Sequence, residues 1–243
     1  MNGFVDLHCH MLYGVDDGAV TKEEMCAMLD MAYADGTRHI CLTPHVNDPR
    51  EDDEALPREQ VFSELLEYAK KYPDLTLYEG NELFFSHGAI EKLRSGEAKT
   101  LAGTRYVLVE FLPSVSYFDM VFALKQLVGA GYFPILAHVE RYGCLYKRKK
   151  ELFAFSQEQG VFFQVNGSSL LGKWGLRGKR FAWKALSTGA VVSVASDAHG
   201  WEHRPPCLGK VYALVEKKLG TEVAKALFYD LPMAILEGQR LSY

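Results

Sequence analysis

Short apolar runs recur along the chain and alternate with longer stretches of helical periodicity. The runs are Phe4-Val5-Asp6-Leu7, His39-Ile40-Cys41-Leu42-Thr43, Leu75-Thr76-Leu77-Tyr78, Tyr106-Val107-Leu108-Val109, Phe133-Pro134-Ile135-Leu136-Ala137, Val161-Phe162-Phe163-Gln164-Val165 and Val191-Val192-Ser193-Val194-Ala195. Their length and their β-branched and aromatic content predict strands, largely buried on both faces. Between them, Thr21-Lys22-Glu23-Glu24 is a capping box, and Met25, Met28, Leu29, Ala32 and Tyr33 then keep helical spacing until Gly36. An acidic loop and Pro57 lead into a second helix with the stripe Val61, Phe62, Leu65, Leu66 and Ala69. Further helices are predicted over Phe118 to Val128, over Lys149 to Gln159, after Gly178, and along Val211, Leu214, Val215 and Leu219. Gly167 to Gly178, with Ser168, Ser169 and Trp174, reads as a loop that either connects or closes as a lid. Strand alternating with helix implies a parallel sheet, and its repetition along the whole chain predicts an α/β fold with barrel-like closure.

A chain of 243 residues suits one large domain spanning 1–243, with no linker, repeat or low-complexity segment to divide it. Hydrophobic content of 48% with 24% charged residues is a globular profile. No apolar run approaches the roughly 20 residues of a membrane helix, so no membrane insertion is expected. The first strand begins at residue 4, which leaves no room for a signal peptide ahead of it and points to the cytoplasm. A net charge of −4 argues against nucleic acid as a partner. One dense basic run, Lys147-Arg148-Lys149-Lys150, falls at a helix start, where cations oppose the macrodipole. It reads as a solvated helix start or as a contact for an acidic substrate. The five cysteines contain no CxxC pair, and none has an arginine six positions on. Reduced, mostly buried thiols are expected, without a disulfide framework or a cysteine nucleophile.

The chemistry gathers at the strand ends. His8 and His10 alternate onto one face at the end of the first strand, and Gly14-Val15-Asp16-Asp17-Gly18 offers a carboxylate on the following loop. His45 lies just past Pro44, Glu82 past Gly80, Glu110 ends the fourth strand, His138 the fifth and Asn166 the sixth, while Asp197 and His199 follow the seventh. Glu79 competes with Glu82, and position at the strand end favours Glu82. Carboxyl ends of successive strands are where barrels build their sites. Any one of these residues could be a satisfied core group. A set of buried imidazoles and carboxylates at one mouth would repel or shift towards neutrality unless cations held it. A multinuclear metal site follows, and mixed imidazole and carboxylate donors suit manganese, iron or zinc.

His8-Cys9-His10, Thr43-Pro44-His45, Glu82, Glu110, His138 and Asp197-Ala198-His199 resemble the polymerase and histidinol phosphatase (PHP) superfamily. Asp6 to His10, Val15-Asp16-Asp17-Gly18, Asn81-Glu82-Leu83, His138-Val139-Glu140-Arg141-Tyr142 and Gln164-Val165-Asn166 are similar, more narrowly, to the bacterial capsule-locus and exopolysaccharide-locus tyrosine-protein phosphatases. The likeness spans essentially the whole chain. It implies a distorted seven-stranded TIM-like (PHP) barrel with surrounding helices, holding up to three ions. Manganese is the ion it favours, with iron, zinc or magnesium as alternatives. By position, His8, His10, Glu82 and Asp197 would hold one ion. Glu82 would bridge to a second held by Glu110 and His138, and Asp17, His45 and His199 would hold a third. Arg141 and Arg204 would bind phosphate and serve catalysis, with Asn166 also on the substrate side. Val139 departs from the proline that relatives often carry there, in the loop that aims Arg141.

The expected reaction is hydrolysis of phosphotyrosine by a metal-activated water, without a side-chain nucleophile. Phenolate is a good leaving group, since the phenol pKa is about 10. The family implies a protein substrate, the tyrosine-rich tail of a bacterial capsular or exopolysaccharide tyrosine autokinase. Three alternatives stand beside this reading: a PHP phosphatase of a small metabolite such as histidinol phosphate, an amidohydrolase, and a non-catalytic metal-binding regulatory module.

Overall fold

The computed structural model describes residues 3–48 and 55–241; the acidic stretch Glu51–Glu54 ahead of Pro57 lies outside them. The strands are β1 (Phe4–Cys9), β2 (Thr37–Leu42), β3 (His45–Val46), β4 (Thr76–Glu79), β5 (Glu82–Phe84), β6 (Tyr106–Glu110), β7 (Phe133–Leu136), β8 (Phe162–Asn166) and β9 (Val191–Ala195). The helices are α1 (Lys22–Ala34), α2 (Arg58–Ala69), α3 (Ala89–Ser95), α4 (Tyr117–Gly129), α5 (Lys149–Gln159), α6 (Gly167–Leu171), α7 (Gly175–Leu186), α8 (Leu208–Leu219), α9 (Thr221–Lys225) and α10 (Leu231–Leu236).

All strand pairs are parallel, as the strand–helix alternation requires, but they form two sheets rather than one seven-stranded barrel. One sheet has the order β1-β2-β4 and the other β3-β5-β6-β7-β8-β9. Two of the seven predicted strands are each split, which raises the count. The second breaks at Thr43-Pro44, because proline has no N–H to continue the ladder. The third breaks at Gly80-Asn81. A Cβ on Gly80 would lie 2.9 Å from both Cys41 Sγ and Leu101 Cδ2, so only glycine allows the backbone this close. Asn81 then holds the break, donating to Pro44 O at 2.8 Å and accepting from Lys99 N and Arg58 Nη1 at 2.7 Å. After the breaks His45 and Glu82 face each other in register. The interruption therefore brings two predicted ligands together.

Between β1 and β9 no full ladder forms among the described residues. Asp197 N–H donates to His8 O and His10 N–H to Ala198 O, each at 2.8 Å, around one bridge between Cys9 and Ala198. These bonds bring the last strand's exit against the first strand's exit.

The helix stripes are largely buried as predicted, with Leu66 of α2 exposed instead. Met25, Met28 and Leu29 of α1 are fully buried with Val61 and Leu65 of α2, and Met120, Leu124 and Leu127 of α4 are buried with Val107, Val109 and Leu136. Each such side chain stabilises the fold by about 1.5–3 kcal/mol. Residues 167–178 differ from the loop expected of them. The chain forms α6, turns at Gly172 (φ +98°), and begins α7 at Gly175. Glycines here start and end helices, and Ser168, Ser169 and Leu170 are buried within α6. The cysteines are free thiols, with Cys9 and Cys41 buried and Cys26, Cys144 and Cys207 half-buried.

Candidate metal centre

His8 and His10 leave β1 on the same side, and each ring is fixed at its far nitrogen. His8 Nδ1 is 3.1 Å from Gln164 Oε1, which also accepts from His138 N–H at 2.8 Å, while Gln164 Nε2 donates to Asn166 Oδ1 at 2.7 Å. His10 Nδ1 lies 2.7 Å from Asp16 Oδ2. With a cation in place, both Nδ1 atoms would keep the proton for these partners and both Nε2 lone pairs would turn inward. The two Nε2 atoms are 3.0 Å apart and lie 3.0 and 3.2 Å from Glu82 Oε2, with Asp197 Oδ1 at 3.4 and 3.7 Å. Lone pairs and carboxylate oxygens converging in this way call for a shared cation. The residues fit a metal ion.

Glu82 extends the cluster, its other oxygen lying 2.8 Å from His138 Nε2, which has Glu110 Oε2 at 3.7 Å. His45 Nδ1 is 3.1 Å from Glu110 Oε1 and 3.4 Å from Glu82 Oε2. On its far side, His45 Nε2 and His199 Nε2 each stand 3.3 Å from Asp17 Oδ1. Four groups of donor atoms result, each within 4.8 Å: His10, Asp17, His45 and His199; His8, His10 and Glu82; Glu82, Glu110 and His138; and His45, Asp48 and Glu110. Shared members link the groups, which contain eight of the nine residues singled out in the sequence; Asp197 belongs to none of the four, its Oδ1 lying 3.4 Å from His8 Nε2.

Electrostatics point the same way. Burial opposes a proton on His10, yet the Asp16 carboxylate lifts its pKa to about 9. Burial likewise opposes a proton on His45, and Asp17, Glu110 and Glu82 push its pKa up to about 12. His199 goes the other way, to about 4, through burial and the nearby His10. Burial raises the Glu82 carboxyl, but His8, His138 and His10 outweigh it and hold it well below the carboxylate range. The acid groups thus draw protons onto His10 and His45, and a cation supplying that charge would free both rings to ligate.

Asp197 joins the cations' side of the site to an arginine pair. Oδ1 faces the histidines, while Oδ2 accepts from Arg141 Nη2 at 2.7 Å and from Asn166 Nδ2 at 2.5 Å and lies 2.5 Å from Arg204 Nη2. Burial would raise this carboxyl, but His8, Arg141 and Arg204 keep it low. Arg141 Nε is buried with no hydrogen-bond partner among the described residues, leaving donor capacity at the rim. The indole of Trp174 covers the pair, 4.2 Å from the Arg141 guanidinium and 5.8 Å from that of Arg204. Left-handed backbone at His138 (φ +33°), Asp197 (φ +50°) and Arg204 (φ +58°) shows strain concentrated at this centre.

Several contributors have no assigned role in the sequence reading. Asp16 and Gln164 orient His10 and His8, Asp48 joins a donor group, and Asp6 Oδ1 accepts from Ser196 N–H at 3.0 Å, tying β9 to β1. Asp6 and Gln164 each precede a site residue by two positions on one strand face, a signal that alternation makes available. Trp174 offers none, because its place depends on where α6 ends.

The fold and the site define an α/β protein with a candidate polynuclear cation centre beside two guanidiniums. The chain belongs to the family described as capsular polysaccharide synthesis, CpsB/CapC, whose model matches residues 4–237. It is 34% identical to the tyrosine-protein phosphatase CpsB of Streptococcus pneumoniae, over 97% of this chain and 99% of that protein. It is 30% identical to the tyrosine-protein phosphatase YwqE of Bacillus subtilis, over 90% of this chain and 86% of that one. A solved structure from work on YwqE and CpsB, described as unique metal-dependent tyrosine phosphatases, superposes with a TM-score of 0.87 at 26% identity, covering 98% of this chain and 96% of that one. A histidinol phosphate phosphatase from Lactococcus lactis shares the fold, with a TM-score of 0.56 at 12% identity over 81% of this chain and 86% of that one.

Proposed function

We propose that this protein hydrolyses phosphotyrosine on a protein substrate with the help of bound divalent cations. The observation that carries the reading is Asp197, whose one oxygen faces the imidazole cluster while the other holds Arg141. A phosphoryl group at that junction would meet cations on one side and guanidinium forks on the other. When bound, the cations supply Lewis-acid activation of a water and neutralise charge on the phosphoryl oxygens.

The chain's own residues do the rest. His8, His10, Glu82 and Asp197 would hold one ion, Glu82, Glu110 and His138 a second, and Asp17, His45 and His199 a third. Arg141 and Arg204 orient the phosphate and stabilise its developing charge, with Trp174 limiting water at their faces. Asn166 acts on the substrate through Asp197, whose carboxylate it fixes. Phenolate departs with little acid assistance. Family membership and the names of the relatives support this chemistry.

Manganese is the ion we propose, iron, zinc and magnesium being the alternatives. The substrate is the tyrosine-rich tail of a capsular or exopolysaccharide kinase, met in the cytoplasm, and the whole chain is one catalytic domain. The two sheets act as one distorted barrel around the centre. No described helix is long and apolar enough to cross a membrane. The test is phosphate release by protein loaded with each metal in turn, from a phosphotyrosine peptide and from histidinol phosphate in parallel. Turnover of the peptide, abolished by chelation and by Asp197→Asn, is expected; turnover of histidinol phosphate alone refutes the substrate assignment.

A further inference from the structure

A cavity of ≈ 620 Å³ lies between the segment that follows Arg141 and the start of α7. Its wall includes Tyr146, Lys147, Arg148, Arg177, Arg180 and Phe181. Four of these are cations, in a chain whose net charge is −4. Arg148 is already engaged, 2.7 Å from Glu151 Oε2 and over the Tyr117 ring at 4.9 Å. Lys147, Arg177 and Arg180 are exposed and pair with no acidic side chain among the described residues. Arg177 also stands in the first turn of α7, and Arg148 immediately precedes α5. Cations at both helix starts add to the positive end of each macrodipole, so the cavity concentrates a field that an anion would relieve.

The cavity lies beside the turn that carries Arg141, since Gly143 in its wall is two residues further along the chain. A Cβ on Gly178, one residue from Arg177, would lie 3.7 Å from Glu140 O, 3.9 Å from the Tyr146 hydroxyl and 4.0 Å from Trp174 Cβ. The helix bearing Arg177 and Arg180 therefore packs on the turn that carries Arg141, and its N-cap residue Trp174 covers Arg141. Arg141 and Gly143 of the cavity wall are at most about 7 Å of chain apart, and an extended peptide advances about 3.3–3.6 Å per residue, so one whose phosphate sits on Arg141 and Arg204 reaches the cavity within a few residues.

We infer that this cavity is a second anion seat, which takes another phosphotyrosine of the same substrate chain. The inference rests on the phosphatase reading above and specifies the substrate class further. The volume falls within the roughly 300–1,000 Å³ of small-molecule sites and exceeds what a carboxylate needs. Tyr146 and Phe181, with ring centroids 5.5 Å apart, give an aromatic wall beside the cations, suited to a phenyl ring bearing phosphate.

The test compares kcat/KM of the metal-loaded enzyme on a peptide with two phosphotyrosines a few residues apart, on its singly phosphorylated form, and on p-nitrophenyl phosphate. The doubly phosphorylated peptide is expected to gain about tenfold through KM, beyond the statistical advantage of two phosphates, roughly one charge-assisted contact. Arg177→Glu with Arg180→Glu should remove that gain while p-nitrophenyl phosphate turnover is retained. Raising salt should erode it in the unmodified enzyme, a readout that needs no variant. Equal kcat/KM for the two peptides, or a preference that survives in the charge-reversed variant, overturns the second seat. A preference kept in full when Glu replaces the second phosphotyrosine overturns its assignment to an aromatic phosphate. No release from any substrate overturns the hydrolase reading beneath it, whereas release without discrimination overturns only the second seat.

Discussion

At the scale of single residues, the centre depends on groups that hold candidate ligands in place without being among them. Gln164 is fully buried, and its carbonyl oxygen takes hydrogen bonds from the His8 ring and from the His138 backbone. It fixes the His8 tautomer and holds His138 in its left-handed conformation. Gln164→Ala should therefore lower metal affinity by about 10–100-fold, as loss of an orienting partner usually does. Metal titration read by calorimetry checks this, and unchanged affinity would show that His8 keeps its orientation unaided. Alternation along β8 makes the face of Gln164 readable from sequence. The partner it serves, 156 residues away, is not.

At the scale of elements, two junctions decide how the site is assembled. The loop bearing Asp16 and Asp17 turns back on β1 so closely that a Cβ on Gly18 would lie 2.0 Å from His10 O. Gly18→Ala must push this loop off β1, at a cost of about 1–3 kcal/mol, and should weaken the ion held by Asp17 most. Thermal melts together with metal stoichiometry measure both effects. The second junction is Asp35, which ends α1 and accepts from Gly209 N–H at 2.7 Å in the first turn of α8. Burial pushes the Asp35 carboxyl up. A carboxyl raised in the folded state stabilises it below the unfolded pKa and loses that contribution as pH rises through the folded value. Asp35→Asn keeps an oxygen for Gly209, so its melting temperature relative to the parent should rise between acidic and neutral pH. A constant difference across that range would count against a raised carboxyl at this site.

For the molecule as a whole, the centre is built from β1, β3, β5, β6, β7 and β9 and the loops after them, so bound cations cross-link both sheets. Ions bound by the folded state alone stabilise it by mass action, about 2.7 kcal/mol for one site at a hundredfold excess over Kd. For a domain of this size that corresponds to roughly 5–10 °C. Chelation should lower the melting temperature by at least that much and restoring metal should recover it; coincident melts with and without chelator would place the ions outside the folding equilibrium. The two-sheet arrangement also explains why the expected seven-stranded closure differs from the observed ladders. Each of the two interrupted strands gives up pairing so that His45 and Glu82 can turn into the centre.

The sequence by itself determined the alternation of strands and helices, the burial of most helix-stripe positions and the placing of nine ligand candidates at strand ends. These follow from local rules: periodicity, capping, and the breaks that proline and glycine impose. Tertiary structure alone decided that the strands form two sheets, that residues 167–171 are helical, and that Trp174 covers Arg141. It also decided which oxygen of Asp197 faces metal ligands and which faces arginine. Those outcomes depend on distances between segments remote along the chain, which are set by packing and backbone strain and leave no periodic signal in the sequence.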